Sequence, residues 1–182
     1  MAQYQAFSPG IKVNGNTVLS VVNSISAGSE TRKEILSHHG IVDPQGDEWY
    51  DQQAWLDAFR EIGEEIGPNT LFNIGKSIPE HAAFPPEIDC LEKALSAIDI
   101  AYKMNHTKGD IGYYKLVSYD GENRKAVMEC KNPYPSEFDR GIITTMLRRF
   151  KPADSYKQSV VLDESQPSRV DGADSCTYLV SW

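Results

Sequence analysis

The sequence predicts an α+β fold in which helices come first and an antiparallel sheet follows. Apolar residues recur at three- and four-residue steps through the first part of the chain, then alternate after Gly109, and return to helical spacing only at 138–150. The 182 residues suffice for one domain with a core of its own. We therefore expect a single domain over residues 1–182, helical over about 1–108 and sheet-containing over about 109–182.

Start and stop signals divide the helical part into five segments. Asn16-Thr17 predicts the start of a first helix, and Ser29 caps a second helix that Gly40 ends. Gly67-Pro68 ends a third helix. The apolar positions that predict the first and third helices are Val18, Val21, Val22 and Ile25, and then Trp55, Leu56, Phe59, Ile62 and Ile66.

Two further helices complete this part of the chain. Asn69 can cap a fourth helix, which Pro79 stops. Pro86 suits a first helical turn, and apolar residues repeat from Ile88 to Tyr102. The sequence therefore predicts its longest helix over roughly residues 86–106.

The remaining segments predict two hairpins around one helix. IGYYKLVSYD (111–120) and RKAVMECK (124–131) alternate on either side of a turn. Helical spacing returns over 138–150. SYKQSVVLDE (155–164) and SCTYLVSW (175–182) then form a second pair. The predicted order after the long helix is β–β–α–β–β, in which helices must cover one face of the small sheet.

Charge and composition exclude several classes of partner. The formal net charge of −8 argues against nucleic acid and against an anionic membrane surface. No stretch approaches the roughly 18 apolar residues of a membrane helix, and no secretory signal is visible. The three cysteines are widely spaced, which argues against a disulfide framework. We expect a cytoplasmic protein that binds neither nucleic acid nor membrane.

Motifs of self-contained catalysis are missing from the sequence. It has no nucleophile elbow, P-loop, dinucleotide fingerprint or zinc-protease helix. His38-His39 fall at a predicted helix end, where imidazoles meet free carbonyls, so a structural role is favoured there. A binding domain is therefore expected rather than an enzyme.

Aromatic residues and one histidine mark a candidate pocket. Tyr102 and His106 are four residues apart on the long helix, so both side chains can face one cavity. Trp55, Phe59 and Tyr113 fall on elements predicted to be half-buried or to face the core. These five residues are our candidate ligand-binding set. Plain core packing, with a structural His106, is the alternative.

A weaker pattern lies near the C-terminus. Glu164, Ser168, Gly172 and Cys176 fall at steps of four around a turn. The side chains of Glu164 and Cys176 are able to share a metal ion, and a zinc site there would need further ligands from elsewhere.

The chain resembles the superfamily that joins haem–nitric-oxide/oxygen-binding (H-NOX) domains, vinyl-reductase-type hydrocarbon-binding domains and Bet-three-like trafficking subunits. The likeness to H-NOX rests on VNGNTVLSVVNSI (13–25), HHGI (38–41) and LFNIGKSI (71–78). ESQPSRVDGADSCTYLVSW (164–182) looks more like the vinyl-reductase type. The resemblance covers nearly the whole chain through element order and a few loose motifs.

The resemblance implies two cofactors to look for. H-NOX domains hold haem from a histidine in the long helix, where this chain has Tyr102, with His106 one turn later. Their Tyr-x-Ser-x-Arg motif is represented by Tyr134 and Ser136, with Arg140 two positions late. Vinyl-reductase-type domains often hold zinc, which would place Glu164 and Cys176 as ligands, and Ser168 stands where a cysteine is expected.

The functional expectation is a small-molecule sensor or adaptor with an apolar pocket between the long helix and the sheet. Its partners would be a small apolar or aromatic ligand and a downstream signalling protein, and a homodimer is compatible with this. One alternative is a haem protein for gas sensing or redox chemistry, with His106 or Tyr102 as the iron ligand. Another is a structural interaction module without a ligand.

Overall fold

The computed structural model describes residues 3–23, 28–107 and 109–182. Within these ranges the chain forms six α-helices and six β-strands. The helices are α1 (Gly15–Asn23), α2 (Ser29–His38), α3 (Gln52–Glu65), α4 (Pro68–His81), α5 (Leu91–Met104) and α6 (Ser136–Phe150). The strands are β1 (Lys12–Asn14), β2 (Trp49–Asp51), β3 (Tyr113–Asp120), β4 (Lys125–Lys131), β5 (Ser159–Leu162) and β6 (Cys176–Ser181). The predicted α+β class and the β–β–α–β–β order after α5 are confirmed.

The main sheet has the strand order β3-β4-β6-β5 and is antiparallel throughout. Alternate residues of its strands face the helices, because side chains along a strand point to opposite faces. The buried members on the two central strands are Ala126, Met128 and Cys130 on β4 and Cys176, Tyr178 and Val180 on β6. Helices α5 and α6 cover this face. The covering helices therefore place the end of α5 beside the sheet.

Helices α4 and α6 cross at close range because each presents a glycine to the other. A Cβ atom on Gly75 would lie 2.1 Å from the carbonyl oxygen of Phe138. A Cβ atom on Gly141 would lie 2.2 Å from the carbonyl oxygen of Phe72. No side chain fits at either position, so the two backbones meet directly. This crossing places the C-terminal end of α4 beside α6.

Two short strands lie outside the sequence prediction. Strands β1 and β2 pair antiparallel, with Val13 opposite Tyr50. Three-residue strands carry too little alternation to be recognised in a sequence. They nevertheless tie the start of the chain to the start of α3, because Gln52 N–H donates to Ile11 O at 2.8 Å.

Several predicted helix bounds need correction. Gly28, rather than Ser29, is the N-cap of α2, and Gly67, rather than Asn69, precedes α4. Helix α4 continues through Pro79 to His81, because a proline in the last turn removes little of the helical hydrogen bonding. The long helix predicted over 86–106 is the shorter α5, and α6 exceeds it by one residue. The predicted Ile25 lies outside the described residues.

Candidate functional site

A cavity of about 440 Å³ lies beside the C-terminal half of α5. Its walls also come from the end of α4 and the loop that follows, from α6, and from single residues of α1, β3 and the segment before α6. The lining residues are Thr17, Ile78, Pro79, Ala82, Ala83, Phe84, Pro85, Ile88, Ala97, Ile98, Ile100, Ala101, Tyr102, Met104, Asn105, His106, Tyr114, Tyr134, Phe138, Ile142 and Met146. This volume is in the range of small-molecule sites.

The cavity wall is almost entirely apolar. No Lys, Arg, Asp or Glu belongs to the described lining residues. The hydrogen-bonding side chains on the wall are three tyrosines, Thr17, Asn105 and His106. An apolar wall with a few polar groups favours a mostly apolar ligand and disfavours one with an unpaired charge.

The backbone around His106 is fixed by β1. Asn14 N–H donates to Asn105 O at 2.9 Å, and Thr107 N–H donates to Lys12 O at 2.9 Å. These bonds make an antiparallel bridge between Val13 and His106 directly after α5 ends. His106 is consequently held by β1 as well as by the helix, and its side chain is 7% exposed.

The hydrogen bonds of His106 define its tautomer. Nδ1 lies 2.8 Å from the carbonyl oxygen of Tyr102, which can only accept, so Nδ1 carries the proton. Nε2 therefore presents a lone pair, and the hydroxyl of Tyr134 donates to it at 2.7 Å. Burial lowers the pKa of His106 from 6.5 to about 4, partly offset by the bond to Tyr102. The imidazole is neutral near pH 7.

Tyr102 lies beside His106 but directs its hydroxyl elsewhere. The hydroxyl donates to Ile111 O at 2.5 Å, and the ring centroid is 4.4 Å from that of His106. Burial raises the pKa of Tyr102 well above its ordinary value, and the nearby Tyr134 and Asp139 add to this. The phenol is therefore a neutral part of the cavity wall.

Tyr134 is a site residue that the pocket prediction did not include. It lies in the buried segment before α6, and its backbone N–H donates to Asn132 Oδ1 at 2.9 Å. Tyr134 was named from the sequence only through the resemblance to H-NOX domains, as the tyrosine of the Tyr-x-Ser-x-Arg motif. The pairing of Tyr134 with His106 depends on a contact 28 residues away, which periodicity does not report.

A buried polar network holds the segment that carries Tyr134. Arg169 Nη1 donates to Asn132 Oδ1 and to its carbonyl oxygen, each at 2.6 Å, while Arg169 Nη2 pairs with Asp139. The hydroxyl of Tyr114 donates to Asp139 Oδ1 at 2.5 Å. Burial opposes charge on Arg169, but Asp139 more than compensates and raises the pKa of Arg169. Burial also raises the pKa of Asp139, and Arg169 and the hydrogen bonds to this carboxylate act against that rise.

The structure separates the five candidate ligand-binding residues into two groups. Tyr102 and His106 line the cavity. Trp55 and Phe59 pack edge to face in the core at 4.7 Å between ring centroids, and Phe59 contacts Tyr134. Tyr113 donates from its hydroxyl to Glu129 Oε1 at 2.6 Å on β4. Trp55, Phe59 and Tyr113 are not among the described lining residues, and a ligand-binding role for any of the five stays a prediction.

The C-terminal metal prediction gains no support from the geometry. Glu164 is exposed, whereas Cys176 is buried on β6 and its sulfur accepts the N–H of Arg169 at 3.3 Å. Among residues 3–23, 28–107 and 109–182, no three His, Cys, Asp or Glu side chains are arranged to hold a metal ion. Zinc binding by Glu164 and Cys176 remains a prediction.

In the part of the chain that the structure describes, no helix is both long and apolar enough to cross a bilayer.

Comparison with known proteins places the fold. No protein-family model matches the sequence, and no curated protein is detectably similar to it. Among solved structures, the unliganded Fe(II) H-NOX protein from K. algicida matches with a TM-score of 0.66 at 10% identity, covering 92% of this chain and 95% of that one. An oxygen complex of an H-NOX domain related to soluble guanylate cyclases matches with a TM-score of 0.61 at 15% identity, covering 92% and 94%.

A third match has a different ligand. The H-NOX protein from Shewanella woodyi, bound to IWP-051 in the Fe(II)CO state, gives a TM-score of 0.57 at 16% identity, covering 92% of this chain and 93% of that one. The agreement extends over more than nine-tenths of this chain in all three cases, so the predicted resemblance to H-NOX domains is confirmed at the level of structure. The chain has the α+β fold of the H-NOX domains.

Proposed function

We propose that this protein is a sensor domain that binds a small, mostly apolar organic molecule in the cavity beside α5. The observation that carries the proposal is the composition of the cavity wall. About 440 Å³ of space, partly open to solvent, is lined largely by aliphatic and aromatic side chains, without a charged residue among the described lining. Water molecules in such a space find few hydrogen-bond partners. An apolar ligand that enters it is stabilised by the removal of its apolar surface from water.

The second candidate is haem, and the fold favours it. The solved structures similar to this chain include an oxygen complex and Fe(II) states of H-NOX proteins. In this chain His106 lines the cavity and is neutral, and a neutral imidazole is a common iron ligand. The fold likeness thus supports the haem alternative better than it supports a general ligand sensor.

The residues present do not fit haem, however. Nε2 of His106 is occupied by Tyr134, and the hydroxyl of Tyr102 is occupied by Ile111 O. Haem propionates need cationic or hydrogen-bonding partners when they are buried. Arg140 instead pairs with Glu137 and stacks on Phe72, 4.2 Å from that ring centroid.

Arg169, the buried arginine near Tyr134, is likewise committed to Asp139 and Asn132. No cation of the described lining is left for a propionate. The chemistry of the wall therefore favours an organic ligand over haem, and we rank the two candidates in that order.

In this proposal the domain signals by a shift in population between two arrangements of its packed helices. The cavity lies among α4, α5 and α6, so a ligand that fits one arrangement of these helices better than another stabilises that arrangement. A downstream protein that reads the altered surface, and a homodimer that transmits it, belong to the same proposal. A ligand that binds both arrangements equally would not signal.

Mass spectrometry of the freshly purified protein, native against denaturing, tests the proposal. We expect a mass excess that disappears on denaturation and corresponds to an organic molecule. An excess equal to haem, accompanied by a Soret absorption band, would make haem the ligand. A protein with no excess that also fails to take up an apolar dye would contradict both candidates and favour the structural module.

A further inference from the structure

Four apolar side chains form a row across the outer face of the main sheet, which is the face that points away from α5 and α6. Leu179 on β6 pairs with Val127 on β4 on one side and with Val161 on β5 on the other. Val117 is the extra residue of a bulge where β3 passes Val127, and it ends the row. The apolar row therefore crosses all four strands of the sheet.

The apolar row is open to solvent. Val117 is 50% exposed, Val161 48% and Leu179 41%. Single exposed apolar residues are ordinary on a protein surface, whereas a contiguous group of them on one face is typical of an interaction surface. Removing this row from water stabilises a complex with a partner that lies flat against the sheet.

Charged side chains flank the apolar row and have opposite signs on its two sides. On β4, Glu129 and Lys125 lie two residues to either side of Val127. On β3, Lys115 precedes the row and Asp120 follows it. These two lysines balance the two acids, although the whole chain has a net charge of −8. The outer face therefore repels a second copy of the chain less than the acidic remainder of the surface does.

A two-fold axis along the apolar row brings these charges together between two copies. Such an axis superposes the row of one copy on that of the other and exchanges the two sides of the row. Glu129 of one copy then faces Lys125 of the other, and Lys115 likewise faces Asp120. The outer face is therefore complementary to itself in charge, as the interface of a symmetric dimer must be.

We propose that two copies of this chain pair through the outer faces of their main sheets, with the apolar rows in contact along a two-fold axis. Two sheets packed face to face lie about 10 Å apart with their strands nearly aligned, which brings both rows into contact. Four strands about 4.8 Å apart and five residues of about 3.3 Å each make the outer face roughly 20 Å wide and 17 Å long. A face of this size belongs to the smaller specific interfaces, so the dimer is weak and reversible.

The dimer surface is separate from the ligand cavity. The cavity lies beside α4, α5 and α6, which pack on the opposite side of the sheet. The inference goes beyond the proposed function, because it names the surface and the symmetry of a homodimer that forms with or without a ligand.

Sedimentation velocity of the full chain from about 1 μM to about 1 mM tests the inference. We expect a monomer that becomes a dimer as the concentration rises. Leu179→Lys buries two charges in each dimer and should weaken pairing at least tenfold. Val161→Lys should do the same from the edge strand, and it replaces Leu179→Lys if that variant does not fold. Val42→Lys, which changes a 62% exposed residue in the loop after α2, is the matched control and should pair as the unmodified protein does.

Two charge reversals test the symmetry of the pairing. Glu129→Lys and Lys125→Glu each place like charges opposite one another twice in the dimer, so each should weaken pairing roughly tenfold. Glu129→Lys also reduces the net negative charge, so it would strengthen pairing if only overall repulsion mattered. An equimolar mixture of the two variants should pair at least as well as the unmodified protein, because the two acids of one variant then face the two lysines of the other.

Three results would overturn the inference. A chain that stays monomeric at about 1 mM does not pair through this face. A dimer that Leu179→Lys and Val161→Lys both leave intact has its interface elsewhere. A mixture of the two charge variants that pairs no better than either variant alone excludes the two-fold axis along the row. Uptake of an apolar dye by the same variants tests the cavity separately, so the failure of the proposed ligand and the failure of the dimer are distinguishable.

Discussion

Tyr134 and His106 are joined by a hydrogen bond of 2.7 Å on the wall of an apolar cavity. Their rings meet at 71°, with centroids 5.7 Å apart. The two residues come from opposite sides of the β3–β4 hairpin in sequence, one after α5 and one before α6. His106 follows α5 and is held by β1, and Tyr134 lies in the segment before α6 that Arg169 holds through Asn132. The hydrogen bond therefore links these two segments.

The neutral state of His106 makes stability depend on pH. Its pKa is about 4 in the folded protein and 6.5 ordinarily, so between these values the unfolded chain binds more protons. The contribution of the neutral imidazole is complete above pH 6.5 and is lost as the pH falls toward 4. Between about pH 7 and pH 5 we therefore expect the unmodified protein to lose about 2 kcal/mol more in its free energy of unfolding than His106→Gln loses. Urea unfolding at both pH values measures it, and a pH-independent difference would contradict the neutral assignment.

Removing Arg169 should leave Asp139 as an uncompensated buried charge. We expect Arg169→Met to lose roughly 3–5 kcal/mol in the free energy of unfolding. The double variant Arg169→Met with Asp139→Asn removes both charges and should recover part of the loss. Chemical denaturation of the two variants checks this. A double variant as unstable as the sum of both single changes would contradict the ion pair.

The crossing of α4 and α6 should not tolerate a side chain. Gly141→Ala places a methyl group against the backbone of α4, and we expect a loss of roughly 1–3 kcal/mol or more. Gly121→Ala is the matched control, because its added methyl group would meet only a side-chain atom of Tyr119 at 3.4 Å. Thermal unfolding compares the two. Equal melting temperatures would show that the helices can separate without cost.

Glu61 joins α3 to the end of α2 through two imidazoles. Its carboxylate lies 2.6 Å from His39 Nε2 and 3.3 Å from His38 Nδ1, and these hydrogen bonds, that of His39 first, lower the pKa of Glu61. The contribution is therefore present above the ordinary value of 4.5 and is lost as the pH falls through the lowered one.

We expect Glu61→Gln to cost less than about 1 kcal/mol near neutral pH, because the group is partly exposed, and less still in acid. Glu65→Gln on the same helix is the control. Urea denaturation at neutral pH and at a pH below 4.5 measures the free energy of unfolding of both variants. A larger effect of Glu61→Gln in acid than at neutral pH would contradict the assignment.

The sequence predicted the order of elements after α5 because each hairpin and α6 has a clear period. The same spacing argument put Tyr102 and His106 on one face of the predicted long helix, and the structure places both on the cavity wall, although α5 ends at Met104 and His106 follows it. It missed β1, although β1 is what anchors the backbone of His106. A strand of three residues is too short to show a periodic pattern, and the residue that β1 bridges, His106, lies far along the chain.

Contacts between distant segments explain the other differences. Trp55 and Phe59 were assigned to the pocket from their aromatic character, whereas packing places them in the core behind Tyr134. Tyr134 was named only through the resemblance to H-NOX domains, and no local pattern connects it with His106. The place of Tyr134 in the site follows from its hydrogen bond to His106, which forms only when the chain is folded.

Uptake of a neutral apolar dye tests the central claim that the cavity binds a mostly apolar ligand. Phenylnaphthylamine fluoresces when it enters apolar surroundings, and Ala101→Trp would place an indole across the opening of the cavity, where Ala101 is an exposed lining residue of α5. Ser96→Trp, at an exposed position of the same helix, is the matched control. We predict saturable binding to the unmodified protein and to Ser96→Trp, and at least tenfold weaker binding to Ala101→Trp. Equal binding to all three, or no binding to any, would contradict the account.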